Sequence, residues 1–308
     1  MADDIIVKEG KIFGGWRKPR NAAVLPRNIP PERATEIARM SSRVGAIHDD
    51  EAAKKMGLRG GAVGANILIN VFPPLLLKAF GQKWFEKGSL SLYFTYLLND
   101  REEMRAVMGV PPAGAKDAQV EAWMETPDGH KVSEGTAAVG NPSVPSALKA
   151  RKLDAYDPGE LRIFANIKPG ELIPGYEKTI TQEAQNRELE YITDNLDWYK
   201  SDSPWGGPIC TLNSMHILMD LAHTWEKVKS EGAGLYGAFE LKNINGPVFI
   251  GRTYRSSGKV VFIGSSPKTE YYWYDSFLDE KDSNKRVAEM RCLIRKMKAD
   301  SPLWKENK

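Results

Sequence analysis

Apolar and polar positions run through the same order twice along this chain. In the first half a leading segment, "PPERATEIARMSSRV", opens on Pro30 and Pro31, which suit a first helical turn. A glycine pair, Gly60 and Gly61, then introduces a run over 61–80 that is apolar almost all round and predicts a buried helix. Pro73 and Pro74 should kink or end that helix. Strands follow: "SLSLYFTYLL", "QVEAWME" and "HKVSEGTAAVG" are rich in aromatic and β-branched residues. "TPDGH" reads as the turn between the last two, with Pro127 presetting φ and Gly129 taking a positive one. In the second half Gly206 and Gly207 precede a second apolar helix over 207–226. "GPVFIGRTYRSSGKVVFIGSS" reads as two strands joined at "SSG", and "TEYYWYDSFLD" and "RVAEMRCLIRKM" as a further pair, the last with some helical period as well.

The repetition extends to individual residues. "GGAVGANILINVF" at 60–72 matches "GGPICTLNSMHIL" at 206–218. Trp123 with Val132 to Glu134 matches Trp273 with Val287 to Glu289, and the offset drifts from 146 to 155 residues as loop insertions would make it. A duplicated unit is therefore expected, with halves over 1–145 and 161–308 and a linker over 146–160, part of the stretch 140–160 in which three prolines precede Gly159 and apolar periodicity lapses. A helix followed by an antiparallel sheet, twice over, predicts an α+β protein with each helix wrapped by a sheet.

Composition narrows the functional classes. Net charge is +3, from 43 basic and 40 acidic residues spread along 308, too small a surplus to suggest nucleic acid. Short basic clusters such as "RKPR" and "RKMK" read as solvated surface. Cys210 and Cys292 form neither a disulfide framework nor a metal motif, which fits a reducing cytosol, and the acidic N-terminus has no apolar signal core. "ANILINVFPPLLLKAF" is shorter than the roughly 20 residues a membrane span needs and carries two prolines. A cytoplasmic protein without membrane or nucleic-acid partners is expected. "GAVGAN" and "GTAAVG" lack the strand and acidic residue of a dinucleotide fingerprint, and there is no phosphate-binding loop.

One of only four histidines, His48, stands just ahead of the first glycine pair in "AIHDDEAAKKMGLRGGAVG". An imidazole can move protons near neutral pH, and glycines at a helix start let a substrate approach backbone N–H donors. Asp50 reads as the cap of the short helix "DEAAKKMG" and Asp49 as solvated. His216 and His223, seven apart on an apolar helix, read as core residues rather than metal ligands, and His130 as a turn residue.

The helix-then-sheet order and this stretch resemble the MaoC-like dehydratases, which include the R-specific enoyl-CoA hydratases. The family's motif is Asp, four residues, His, one residue, Asp, an Ala-rich turn, then a glycine pair before the helix. His48, Asp50, Ala52, Ala53, Gly57, Gly60 and Gly61 fit its later part. In the second half "DNLDWYKSDSPWGGPI" is similar, with Asp194, Trp198, Tyr199, Pro204, Gly206 and Gly207. The resemblance implies a double hot-dog fold with pseudo-dimeric halves. It implies a homo-oligomeric lyase that hydrates or dehydrates an α,β-unsaturated acyl thioester, such as an acyl-CoA, or a related small unsaturated acid, without metal or cofactor.

This chain departs from the motif in both halves. The family's catalytic Asp lies five residues before the His, where the first half has Arg43. The second half has Asp194 at the acid's place but Tyr199 at that of the histidine. His48, Asp194 and Tyr199 are the catalytic candidates. Arg43, Gly60, Gly61, Trp198, Trp205, Gly206 and Gly207 are the substrate-binding candidates. The split dyad leaves two other readings open: a divergent hot-dog lyase or cyclase acting on a substrate without CoA, and a non-catalytic acyl-binding subunit. Thioesterase action is weaker, since residues 61–80 carry no acid, although Asp220 and Glu226 follow in the second helix. The resemblance also implies two separate half-sites rather than one merged dyad.

Overall fold

The computed structural model describes residues 4–21, 47–48, 50–153, 159–222, 225–228, 233–299 and 301–304. The segment 30–44, Arg43, Asp49 and His223 lie outside the described residues. A 12-stranded sheet carries the fold. Its strands are β1 (Ile6–Lys8), β2 (Lys11–Phe13), β3 (Gly88–Phe94), β4 (Arg105–Gly109), β5 (Ala118–Glu125), β6 (Lys131–Val139), β7 (Leu172–Ile173), β8 (Glu177–Thr179), β9 (Gly234–Asn243), β10 (Thr253–Ser265), β11 (Thr269–Glu280) and β12 (Arg286–Met297). The order across the sheet is β1-β2-β4-β5-β6-β3-β9-β12-β11-β10-β7, with β8 pairing β10. The run β3-β6-β5-β4 is thus repeated by β9-β12-β11-β10. The two runs join through the antiparallel β3–β9 pair, in which Ser91 stands opposite Glu240.

The helices pack against one face of this sheet. The first helical run starts at Ala65–Leu68, tightens to a 3-10 turn over Ile69–Val71, and restarts at Pro73–Phe80. The pattern over 61–80 predicts a helix kinked or ended at Pro73 and Pro74, and the interruption falls there, but the start comes later than Gly61. The chain is extended until Gly64, and Pro73 offers no N–H to continue the ladder, so the helix begins late and is reset at the proline. The second helix is Leu212–Met219, well short of the expected 207–226. It stops at Asp220, which leaves helical geometry (ψ 110°), and its carboxylate accepts hydrogen bonds from the Ala222 N–H and from the Tyr236 and Tyr274 hydroxyls. Leu68, Ile69, Phe72, Leu75 and Leu76 from one helical run and Leu212, Met215, Leu218 and Met219 from the other share one core with inward residues of the strands.

The "SSG" junction is a correction. Residues 253–265 form one continuous strand, and Gly258 sits in its middle. A Cβ there would stand 2.4 Å from Leu221 Cδ1 and 2.8 Å from the Asp275 carbonyl oxygen, so the glycine marks close packing rather than a turn. "RVAEMRCLIRKM" is strand β12. Within the expected linker, Ala147–Ala150 make a helical turn on the outer face of the sheet. Leu148 is fully buried there with Ala238, Trp273 and Leu293. No helix among the described residues is long and apolar enough to cross a membrane.

Candidate active site

His48 follows Ile47, whose carbonyl accepts the Ala62 N–H at 2.8 Å. The imidazole turns back on the same residue: its Nδ1 lies 2.6 Å from the Ala62 carbonyl oxygen. A carbonyl can only accept, so Nδ1 carries the hydrogen. In the neutral ring Nε2 is then the proton acceptor, the tautomer a general base needs. Asp50 fixes the loop by accepting the Gly61 N–H at 2.6 Å. Gly60 and Gly61 are glycines for want of space. A Cβ on Gly61 would stand 2.6 Å from the His48 carbonyl oxygen, and one on Gly60 would stand 3.2 Å from Asp50 Oδ1. With the Gly61 amide held by Asp50, the donors left at the helix start are the N–H groups of Gly64, Ala65 and Asn66, which have no intrahelical acceptor. His48, Ala65 and Asn66 are all half-buried, so this corner is reachable from solvent. His48 Cε1 lies 3.7 Å from where a Cβ on Gly64 would stand.

The second half repeats the frame one residue out of step with the match of the glycine pairs. Ile209 donates to the Trp198 carbonyl as Ala62 does to that of Ile47, and Cys210 donates to Val248 as Val63 does to Leu98. Tyr199 therefore holds the place of His48, Thr211 that of Gly64, and Asn213 that of Asn66. By the same shift Gly207 stands opposite Gly60 and Pro208 opposite Gly61, so the two pairs do not coincide, and Gly206 and Gly207 are built differently from the first pair. They have positive φ (77° and 105°) in a turn closed by Ser203, whose hydroxyl donates to the Gly207 carbonyl at 2.7 Å.

Here side chains cap the helix start on either side of Leu212, which is itself buried. The Thr211 N–H goes to Gln185 Oε1, the Asn213 N–H to Asn70 Oδ1, and the Ser214 N–H to the Thr211 hydroxyl. Tyr199 is 0% exposed and its hydroxyl meets no hydrogen-bond partner among the described residues. Burial, with the Glu188 and Asp194 carboxyls nearby, pushes its phenol well above the ordinary range and keeps it neutral. Asp194 sits in a different setting, clasped by Arg17 through three hydrogen bonds of 2.8–3.0 Å and by the Thr193 hydroxyl. Burial opposes the charge on Arg17, but bonds to Asp194 and Asp4 outweigh it and raise its pKa further. Trp198 and Trp205 pack against one another and against Phe85 from the first half, with centroids 5.5–5.9 Å apart, and the Trp205 indole donates to Glu86. The structure thus gathers His48, Asp50, Gly60 and Gly61 at one helix start. It puts Tyr199 in the core near the other, and gives Asp194 to an ion pair. Removing that pair's cation by Arg17→Ala leaves a buried carboxylate uncompensated and is expected to cost about 3–5 kcal/mol in urea unfolding.

Two residues absent from the motif comparison join this frame. Gln185 and Glu188, on the helix Gln182–Glu188, are buried. Gln185 donates to the Tyr199 and Ile209 carbonyls, while Glu188 accepts the Thr211 and Ser214 hydroxyls. The signal was present in the sequence: both fall on the helical stripe defined by Ala184, Leu189 and Ile192. Burial raises the Glu188 pKa despite these donors. A raised carboxyl pKa lends stability below the unfolded value and withdraws it as pH rises through the folded one. Glu188→Gln is therefore expected to gain stability relative to the parent as pH climbs above the ordinary Glu range. Paired urea titrations from pH 4 to 8 test this, and a constant difference across that range refutes it.

Of the remaining histidines, His130 is largely exposed, stacks on Tyr96 and lies 3.2 Å from Asp128. His216 packs edge-on to Tyr236 in the core.

No family model and no curated protein matches this sequence. Solved structures do match. A MaoC domain protein from Chloroflexus aurantiacus J-10-fl aligns over 91% of this chain and 95% of its own, with a TM-score of 0.58 at 11% identity. A conserved hypothetical protein from Mycobacterium tuberculosis with a double hot-dog fold aligns over 91% and 96%, with a TM-score of 0.53 at 11% identity. The fold of this chain is the double hot dog, of the kind found in MaoC-like proteins.

Proposed function

We propose that the chain hydrates α,β-unsaturated acyl thioesters, or dehydrates the corresponding hydroxyacyl thioesters, at a single site in its first half with His48 as the base. One observation carries this reading. The helix start beside His48 keeps its first amides available, while the equivalent start in the second half is capped at Thr211, Asn213 and Ser214 and its histidine position is a buried tyrosine.

The chemistry follows from that corner. The thioester carbonyl oxygen accepts from the N–H groups of the Gly64–Asn66 turn, where negative charge gathers as the enolate forms. His48 Nε2 takes a proton from water while the hydroxide oxygen bonds to the β-carbon and the π electrons move to the carbonyl oxygen. The imidazolium then returns the proton to the α-carbon, so water is added and the base is regenerated. The hydrogen on Nδ1 stays with the Ala62 carbonyl throughout and keeps the ring aligned. Asp50 serves the loop, and one imidazole performs both transfers in place of the family's acid and base pair.

The direct test incubates the purified chain with short-chain enoyl-CoA and, in parallel, with the matching free acid, and follows loss of the conjugated double bond. Hydration of the thioester is expected. Turnover of the free acid alone moves the assignment to the divergent lyase reading, and no turnover of either substrate moves it to an acyl-binding subunit.

A further inference from the structure

The sheet ends on an open edge at its first-half side. Among the described residues β1 pairs with β2 alone and closes the strand order. Its Ile6 and Val7 are 59% and 53% exposed and point to opposite faces. Val7 stands opposite the buried Ile12 and so faces the core side, while Ile6, opposite Phe13, faces outward. Unpaired backbone groups beside two exposed β-branched residues make a template for a further strand.

The ladder next to it shows which backbone groups face that edge. The Gly10 carbonyl and the Gly14 N–H both bond toward β4, to Val110 and Ala106. Backbone groups of successive residues alternate in direction, so Lys11 and Phe13 turn theirs toward β1, and their partners Lys8 and Ile6 turn inward to meet them. Val7 and Ile5 therefore turn their N–H and C=O groups to the open side.

The residues of this edge match a second copy of themselves. Asp4 to Lys8 reads Asp-Ile-Ile-Val-Lys, with an acid first, a base last and apolar residues between. Laid antiparallel on its own copy about a two-fold axis at Ile6, the segment sets Asp4 against the partner's Lys8 at both ends. It also sets Val7 against the partner's Ile5, and these are the residues whose backbone groups face the gap, so they form the hydrogen-bonded pairs. An axis at Val7 would instead oppose Ile5 to Glu9, whose φ of 52° takes it out of the strand. Both charged side chains are within reach: Asp4 is 43% exposed beside Arg17, and Lys8 is 70% exposed with the solvated Glu9 as its ion-pair partner.

We infer that the chain forms a homodimer in which the two β1 strands pair antiparallel about Ile6, joining two 12-stranded sheets edge to edge. The contact is isologous, so it closes at two copies. Pairing of β1 with the far edge at β7 would be head-to-tail and would grow into filaments. A contact built on five residues a side lies at the small end of interfaces, and the dissociation constant is expected in the micromolar range.

Sedimentation velocity on the full chain, from low to high micromolar concentration, tests the dimer, and cysteine substitutions test its register. Ile6 faces its own copy in a non-hydrogen-bonded pair, where Cα atoms stand about 4.5 Å apart, within disulfide reach. Ile6→Cys is expected to give a covalent dimer on mild oxidation, and Val7→Cys, displaced diagonally from its copy, is not. The native Cys210 and Cys292 are buried and do not compete. Val7→Pro removes an N–H from the open edge, a position where proline is tolerated, and is expected to leave a folded monomer by circular dichroism. Lys8→Glu faces Asp4 with a like charge and is expected to weaken the dimer about tenfold. A monomer at every concentration, or species that grow past the dimer, overturns the inference. So does a dimer that persists in Val7→Pro, or cross-linking through Val7→Cys in place of Ile6→Cys.

Discussion

His48→Ala is expected to lower hydration of an enoyl thioester by about 10²–10⁴-fold, the contribution of a positioned acid–base group. The variant should remain folded. The ring is half-buried, and its loss removes one hydrogen bond to the Ala62 carbonyl, worth about 1 kcal/mol, so the melting temperature should fall by only about 2–4 °C. Ala62 keeps its backbone bond to Ile47, which holds the loop in place without the imidazole. The comparison with Tyr199 sharpens the test. Tyr199→Phe removes a hydroxyl that has no partner among the described residues, so it is expected to leave both activity and stability close to the parent's. Activity that survives His48→Ala but is lost in Tyr199→Phe would place the chemistry in the second half.

The second large effect comes from the backbone. Ala65→Pro deletes a single N–H at the first helical position, where proline is well tolerated. Gly64 already sits at φ −61° and ψ 132°, the extended region that a residue before proline requires, so the substitution fits without rearrangement. If the Ala65 amide supports the developing enolate, kcat should drop about 10²–10³-fold, the usual cost of one oxyanion donor. Ala65→Ser retains the N–H and serves as the control, with activity expected within a few-fold of the parent. Unchanged kcat in a folded Ala65→Pro variant would move the thioester carbonyl away from this amide.

Much of the fold could be read from the chain itself. The two glycine-led apolar runs are the two central helices, and the drift in offset between the halves matches the strands, whose starts shift from β3 and β9 to β6 and β12 by a growing interval. Helix lengths were misread because a uniformly apolar stretch carries no period. Nothing in "AVGAN" says that the chain stays extended to Gly64, and Asp220 ends its helix by reaching tyrosines on β9 and β11. The "SSG" misreading has a similar origin: glycine signals a turn in isolation, and the close approach of Leu221 and the Asp275 carbonyl at Gly258 depends on packing.

The sequence by itself determined the duplicated helix-and-sheet order, the residue types available for chemistry, and the departure from the family dyad at Arg43 and Tyr199. Only the tertiary structure decided which helix start is capped by side chains, that the two halves align one residue away from their glycine pairs, and that Asn66 meets Asn213. The reason is physical. Periodicity and turn chemistry act between near neighbours and leave their mark in the local pattern. Tautomers, caps and side-chain pairings are set by single hydrogen bonds between residues as far apart as Asn66 and Asn213, which stand 147 positions from each other and meet only when both helices are packed in the sheet.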